Sequence, residues 1–205
     1  GFDAPAVWLD ETESPTGRVF NPNALYLLHV ADFNGDGRAD FMWKESGGGW
    51  YVALANVSGD GFTVGSTPWL PHNVPTYGNT FNDNAPRNRV ADFNGDGMAD
   101  YMWEQEGAAN DRWVVALSNG NGFDAPQNWL QDSQSPTGEV FNPNNNSRLY
   151  VEDFNGDDRA DLLGGLDAGE ERHGLTGDEA ESHRHLLRAE RLGDAVAGVD
   201  VDGDD

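Results

Sequence analysis

Along the chain, short stretches rich in aromatic and β-branched residues alternate with runs of Gly, Asn and Asp. Leu25–Ala31, Ala39–Lys44, Trp50–Asn56 and Phe62–Ser66 each have the length and composition of a strand. Turns such as Gly47-Gly48-Gly49 and Ser58-Gly59-Asp60-Gly61 separate them. Turn-rich β structure therefore fits better than a helical bundle. The pattern then repeats. Trp8-Leu9, Trp69-Leu70 and Trp129-Leu130 fall in register, as do Pro15-Thr16, Pro75-Thr76 and Pro136-Thr137, and as does Phe-Asn-x-Asn at Phe20, Phe81 and Phe141. The unit is about 60 residues long. Four antiparallel strands make one sheet with two faces to bury, and stacking such sheets around an axis buries both while protecting their edges. The pattern predicts an all-β fold, a partial β-propeller of four-stranded blades. Gly1-Phe2-Asp3-Ala4-Pro5 matches Gly122-Phe123-Asp124-Ala125-Pro126, which places the first residue partway through a repeat.

Between the first two strands of each repeat lies an acidic nonapeptide. Asp32 to Asp40 reads Asp-Phe-Asn-Gly-Asp-Gly-Arg-Ala-Asp; it returns at Asp92 to Asp100 with Met98 for Arg, and at Asp153 to Asp161 with Asp158 for the second Gly. Carboxylates at positions 1, 5 and 9 with an amide at 3 form an all-oxygen donor set, which suits a hard cation, Ca²⁺ above all. The expected ligands are the side chains of Asp32, Asn34, Asp36 and Asp40 with the carbonyl of Arg38. The second loop supplies Asp92, Asn94, Asp96 and Asp100 with the Met98 carbonyl, and the third Asp153, Asn155, Asp157 and Asp161 with the Arg159 carbonyl. Gly35, Gly37, Gly95 and Gly97 let the chain wrap tightly, so Asp158 is expected to strain the third loop. An EF-hand would need Glu at position 12, where Trp43, Trp103 and Gly164 stand instead. Dockerin-like loops lead into helices, whereas these lead into Phe41-Met42-Trp43 and Tyr101-Met102-Trp103. The competing reading is that Asp, Asn and Gly merely make turns. The ion's expected role is structural, because three carboxylates per loop repel one another without it.

Val-Ala-Asp-Phe-Asn-Gly-Asp-Gly-x-Ala-Asp followed by an aromatic strand resembles the FG-GAP/VCBS repeat family, which includes the propellers of integrin α chains. The resemblance covers residues 1–164. It implies calcium loops joining the first two strands of each blade, and a ring of more blades than the three seen here, completed by missing blades or by self-association. It also implies a secreted or cell-surface module for binding or adhesion, with a carbohydrate or an extracellular protein as ligand. A second implied role is body or accessory domain of a secreted polysaccharide lyase or glycoside hydrolase. No recognisable catalytic constellation is present, so a non-enzymatic role is favoured.

Composition narrows the partners. A net charge of −24, with only 12 Lys and Arg, disfavours nucleic acid and anionic membrane surfaces. Nine of the 36 acidic residues sit at the carboxylate positions of the three loops, so three bound Ca²⁺ would bring the charge to about −18. There is no Cys to form a disulfide and no apolar run long enough to insert in a membrane.

Two long connections, Thr67 to Asn88 and Asn128 to Arg148, are expected between blades. They carry Trp69, Trp129 and the amide pairs Asn82/Asn84 and Asn142/Asn144, with Trp8 and Asn21/Asn23 as the first copy. Aromatic faces and amides suit a sugar, but a Trp in every repeat equally suits inter-blade core, and Phe-Asn-x-Asn an Asx-turn. Trp43, Trp50, Trp103 and Trp113 read as core and His29 as a packed strand histidine. Beyond Phe154 no aromatic residue occurs. Residues 165–205 are expected to be a divergent acidic tail, a linker or a non-native extension, irregular or partly helical over Glu179 to Leu192. Asp200 to Asp204 resembles the opening of a further acidic loop, and His173, His183 and His185 are a weaker metal-binding candidate.

Overall fold

A computed structural model of the chain describes residues 6–10, 12, 28–45, 48–75, 78–79, 88–105, 112–131 and 148–165. The chain divides into two compact units, Gly1–Val140 and Phe141–Asp205. In the first unit, strands β1 (Leu28–Ala31), β2 (Asp40–Lys44), β3 (Trp50–Ala55) and β4 (Phe62–Val64) form one antiparallel sheet in chain order. A short pair follows, β5 (Asn73–Val74) with β6 (Gly78–Asn79). The second four-stranded antiparallel sheet holds β7 (Asn88–Ala91), β8 (Asp100–Gln105), β9 (Arg112–Ala116) and β10 (Gln127–Gln131), again in chain order. The second unit contains the antiparallel pair β11 (Arg148–Glu152) and β12 (Asp161–Gly165). The described residues are thus all-β, built on antiparallel four-stranded sheets.

Side-chain alternation explains how the two large sheets meet. Met42, Trp50 and Val52 of the first sheet pack in one cluster with Tyr101, Trp103, Val114 and Ala116 of the second. Trp50 and Tyr101 rings lie 4.8 Å apart, and His29 sits 5.5 Å from Trp50 and 6.1 Å from Tyr101. Alternate residues Trp43, Tyr51 and Ala53 form a separate cluster with Leu9, Phe41, Phe62 and Val64. The four strand tryptophans Trp43, Trp50, Trp103 and Trp113 are all buried, as expected of core. Burial of each contributes about 2–3 kcal/mol, which makes this double-sided packing the main source of the first unit's stability.

The edge strand is where the observed fold departs from the sequence reading. Trp129 was expected in a connection beginning at Asn128, yet it lies within β10, where Leu130 pairs with Trp113. Leu70 makes the equivalent bridge to Trp50, and the Trp69 amide donates to the Trp50 carbonyl at 2.8 Å. Pro68 lies between β4 and the Leu70 bridge, and Pro126 stands just before β10, so neither has to donate an N–H to the ladder. Gly49 makes the close approach possible: a Cβ there would stand 2.2 Å from the Leu70 carbonyl oxygen. Trp69 then packs on Phe123, between β9 and β10, at 5.8 Å, and Trp8 on Phe62 of the first sheet at 5.9 Å. The recurrent Trp therefore contributes packing in these two repeats, although Trp8 remains 45% exposed.

The Phe-Asn-x-Asn motifs, the 20–23 segment, the first residues of the predicted first strand, the proposed helix and all three tail histidines lie outside the described residues. So does the acidic pentapeptide Asp200 to Asp204. No helix long and apolar enough to cross a membrane occurs among the described residues.

Candidate metal loops

Each acidic nonapeptide turns between two paired strands, and its ends are held in one register. Ala31 faces Asp40, Ala91 faces Asp100 and Glu152 faces Asp161. Position 1 organises the turn. Asp32 Oδ1 accepts from the amides of Gly35 (2.8 Å), Asp36 (3.2 Å) and Asn34 (3.3 Å), and Oδ2 from Gly37 (2.7 Å). Asp92 repeats this with Gly95 (2.7 Å), Asp96 (3.3 Å) and Gly97 (2.8 Å), and Asp153 with Gly156 (2.7 Å), Asp157 (3.2 Å) and Asp158 (3.0 Å). One carboxylate thus caps a nest of amides that the tight turn would otherwise leave without partners.

Position 5 closes the next turn. Asp36, Asp96 and Asp157 accept from the amides of Arg38 (2.9 Å), Met98 (2.8 Å) and Arg159 (3.1 Å). Position 3 braces it, since Asn34 Nδ2 donates to Asp36 (2.8 Å) and Asn94 Nδ2 to Asp96 (2.9 Å). In the third loop Asn155 instead donates to Asp161 at 3.4 Å. The Arg38 guanidinium forms an ion pair with Asp36 and its Nε donates to the Ala55 carbonyl at 3.2 Å. Met98 offers no such charge; a Cβ on Gly35 would touch its Cγ at 3.0 Å, so the second loop's side chain lies against the first loop.

Position 9 behaves differently from the other two carboxylates. Asp40 and Asp100 are fully buried. Asp40 Oδ2 accepts from Phe33 N–H (2.9 Å) and Oδ1 from Ala55 N–H (2.8 Å), tying the loop to the end of β3. Asp100 does the same with Phe93 (2.9 Å) and Ser118 (2.7 Å), just past β9. Burial pushes the Asp100 carboxyl up to about 7; the two amide bonds oppose this, while repulsion from Asp96 and Asp92 adds to it. Burial likewise raises Asp40 and Asp161, with the same repulsion from positions 1 and 5 of their own loops.

Asp158 stands in the left-handed region at φ 66°, where Gly37 (82°) and Gly97 (85°) stand in the other loops. It is the single non-glycine residue with positive φ among those described. The expected strain at that place is therefore present.

As ligands, the predicted residues supply only oxygen; Asp32 Oδ1 is already taken by three amides, whereas Oδ2, which accepts one, keeps a lone pair for a cation. Their chemistry fits Ca²⁺. Among the described residues, however, no three His, Cys, Asp or Glu side chains converge as a metal-holding group. Positions 1 and 5 are turned onto loop amides, and position 9 is turned into the sheet. What the sequence reading missed is the outer anchor of position 9, the amides of Ala55 and Ser118, which lie 15 and 18 residues downstream. Backbone donors carry no residue-type signal, so no motif search would have found them.

No protein-family model matches the chain, and no curated protein matches it.

Proposed function

We propose that the chain is a calcium-stabilised β-propeller module of the FG-GAP/VCBS kind, acting outside the cell as a binding or adhesion surface for a carbohydrate or a protein. The observation that carries this reading is threefold: the same Asp-capped amide nest closes the turn between paired strands in all three repeats. Positions 1, 5 and 9 all serve the turn, but an amide or hydroxyl oxygen could accept the bonds made at 5 and 9. Three carboxylates are more charge than the turn needs, and at Asp100 burial first, then repulsion from Asp96 and Asp92, raises the protonation. A divalent cation held by positions 1, 3 and 5, the position-7 carbonyl and position 9 would remove that repulsion and supply folding free energy. Blades packed face to face, each with its loop in the same place, support the propeller reading. Trp8, half-exposed although packed on Phe62, leaves part of its ring free to meet a ligand.

The test has two parts. Verified removal of calcium by EDTA should lower the melting temperature, and calcium, not magnesium, should restore it; unchanged melting sinks the structural ion. A glycan array read beside a polysaccharide depolymerisation assay then separates roles. Binding without cleavage supports the module, and depolymerisation supports the accessory domain of a lyase or hydrolase.

A further inference from the structure

Ser118 is the one residue among those described that holds hydrogen bonds to both loops of the first unit. Its amide donates to Asp100 Oδ1 of the second loop at 2.7 Å, and its hydroxyl donates to the Phe33 carbonyl of the first at 2.6 Å. Phe33 in turn donates its own amide to Asp40. A relay therefore runs Asp40, Phe33, Ser118, Asp100, Phe93, and every member is buried, with none more than 4% exposed. The loops also meet directly, because Ala99 N–H donates to the Asp32 carbonyl at 2.7 Å. In the first sheet the place of Ser118, donating its amide to the position-9 carboxylate, is taken by Ala55, which has no hydroxyl.

We propose that Ser118 is a positioning residue that couples the two acidic loops, so that ordering either one orders the other. A buried carbonyl with a neutral hydroxyl on it has no water to turn to if that hydroxyl shifts, so displacement of Asp100 is felt at Phe33 and through it at Asp40. The coupling needs no cation. Its functional consequence, cooperative filling of the first two loops by calcium, rests on the reading given under Proposed function.

Amide hydrogen exchange at Phe33, Gly35 and Gly37 tests the coupling in the full chain. Asp100→Asn, which cannot hold both amides as the carboxylate does, should speed exchange at these first-loop sites on the order of tenfold. Should that variant fail to fold, Asp96→Ala disturbs the same loop from its exposed side. In a Ser118→Ala background the acceleration should fall below about threefold, and Ser118→Thr should restore it. A purely structural role for Ser118 would speed exchange equally in every background. Equal acceleration with and without the hydroxyl, or none in either, overturns the proposal. A parallel calcium titration should show cooperative binding in the wild type and clearly weaker cooperativity in Ser118→Ala, which keeps the direct Ala99–Asp32 contact. A chain that binds no calcium would defeat the functional reading, while the exchange data would still decide the coupling.

Discussion

The first two acidic loops and the third share a sequence but not an environment. Phe33 and Phe93 are fully buried, while Phe154 at the same place is 48% exposed. Phe33 packs on Phe123 and Phe93 on Trp129, both aromatic residues from the region of a fourth strand. The third loop joins a two-stranded pair, β11 with β12, and no third or fourth strand is described beside it. Among the described residues, its position-9 carboxylate, Asp161, bonds Phe154 N–H (3.2 Å) and the Asn155 side chain (3.4 Å), both inside the loop. The contrast separates two layers of the design. Turn geometry is written inside nine residues, whereas the clamp from loop to sheet needs strands supplied by the rest of the repeat.

The largest expected effect follows from that clamp. Asp100→Ala strands the buried amides of Phe93 and Ser118 and should destabilise the first unit by about 4 kcal/mol, whereas Asp96→Ala in the same loop, which frees only exposed loop groups, should cost under about 1 kcal/mol. Urea unfolding followed by tryptophan fluorescence reads the first unit alone, because all seven Trp precede residue 140. Equal losses in the two variants would erase the distinction between the sheet clamp and the loop's own turn bonds.

Calcium should sharpen the same contrast. If a site is filled at a hundred times its dissociation constant, it adds about 2.7 kcal/mol. The first unit, with two clamped loops, should therefore gain stability in the fluorescence assay well beyond any change in hydrogen-exchange protection at Gly156 and Asp157. A protection gain confined to the third loop would contradict the idea that sheet anchoring prepares a loop for the ion.

A third comparison uses one register position, occupied by His29 opposite Met42, Arg89 opposite Met102 and Tyr150 opposite Leu163. Burial lowers His29 to about 4, helped by the Arg89 charge and opposed by a hydrogen bond with the Asn88 side chain. The unfolded chain takes up a proton near pH 6.5 that the folded chain refuses until about 4. This contribution is thus complete above pH 6.5 and drains away as pH falls toward 4, by about 3 kcal/mol in all and about 2.5 kcal/mol by pH 4.5. Wild type should lose that much more than His29→Gln between pH 7.5 and 4.5 in the urea assay, and parallel pH curves would show that the imidazole is not held neutral.

How far the sequence could be read follows from which signals are local. Strand limits at Lys44, Trp50 and Phe62 came from β-rich runs ended by glycine turns, and the structure places strand ends there. The loop's place between the first two strands was legible for the same reason. The edge pairings were not, since Leu70 meets Trp50 and Leu130 meets Trp113 only once the partner strands are in place. Nor was the role of Ser118, whose hydroxyl partner lies 85 residues away. Position 9 was read as a ligand from charge alone; its burial depends on the β3 and β9 ends that supply Ala55 and Ser118.

The smallest expected effect lies inside the third loop, at the one position where its own sequence departs from the other two. Asp158 occupies φ 66°, a conformation that costs a side chain with a Cβ more than it costs glycine, though Asp tolerates it better than most. Its amide donates to Asp153 at 3.0 Å, as Gly37 does to Asp32, so glycine would keep the bond and relieve the backbone. Against this, glycine adds freedom to the unfolded chain. The two terms leave a net gain of about 0.5 kcal/mol, and hydrogen exchange at Gly156 and Asp157 should slow about twofold in Asp158→Gly. The reverse change in the second loop, Gly97→Asp, should cost about 1 kcal/mol, because that loop is also fixed by its sheet and cannot relax. If instead the third loop responded more strongly than the second, anchoring would not be what makes a loop sensitive to its backbone geometry.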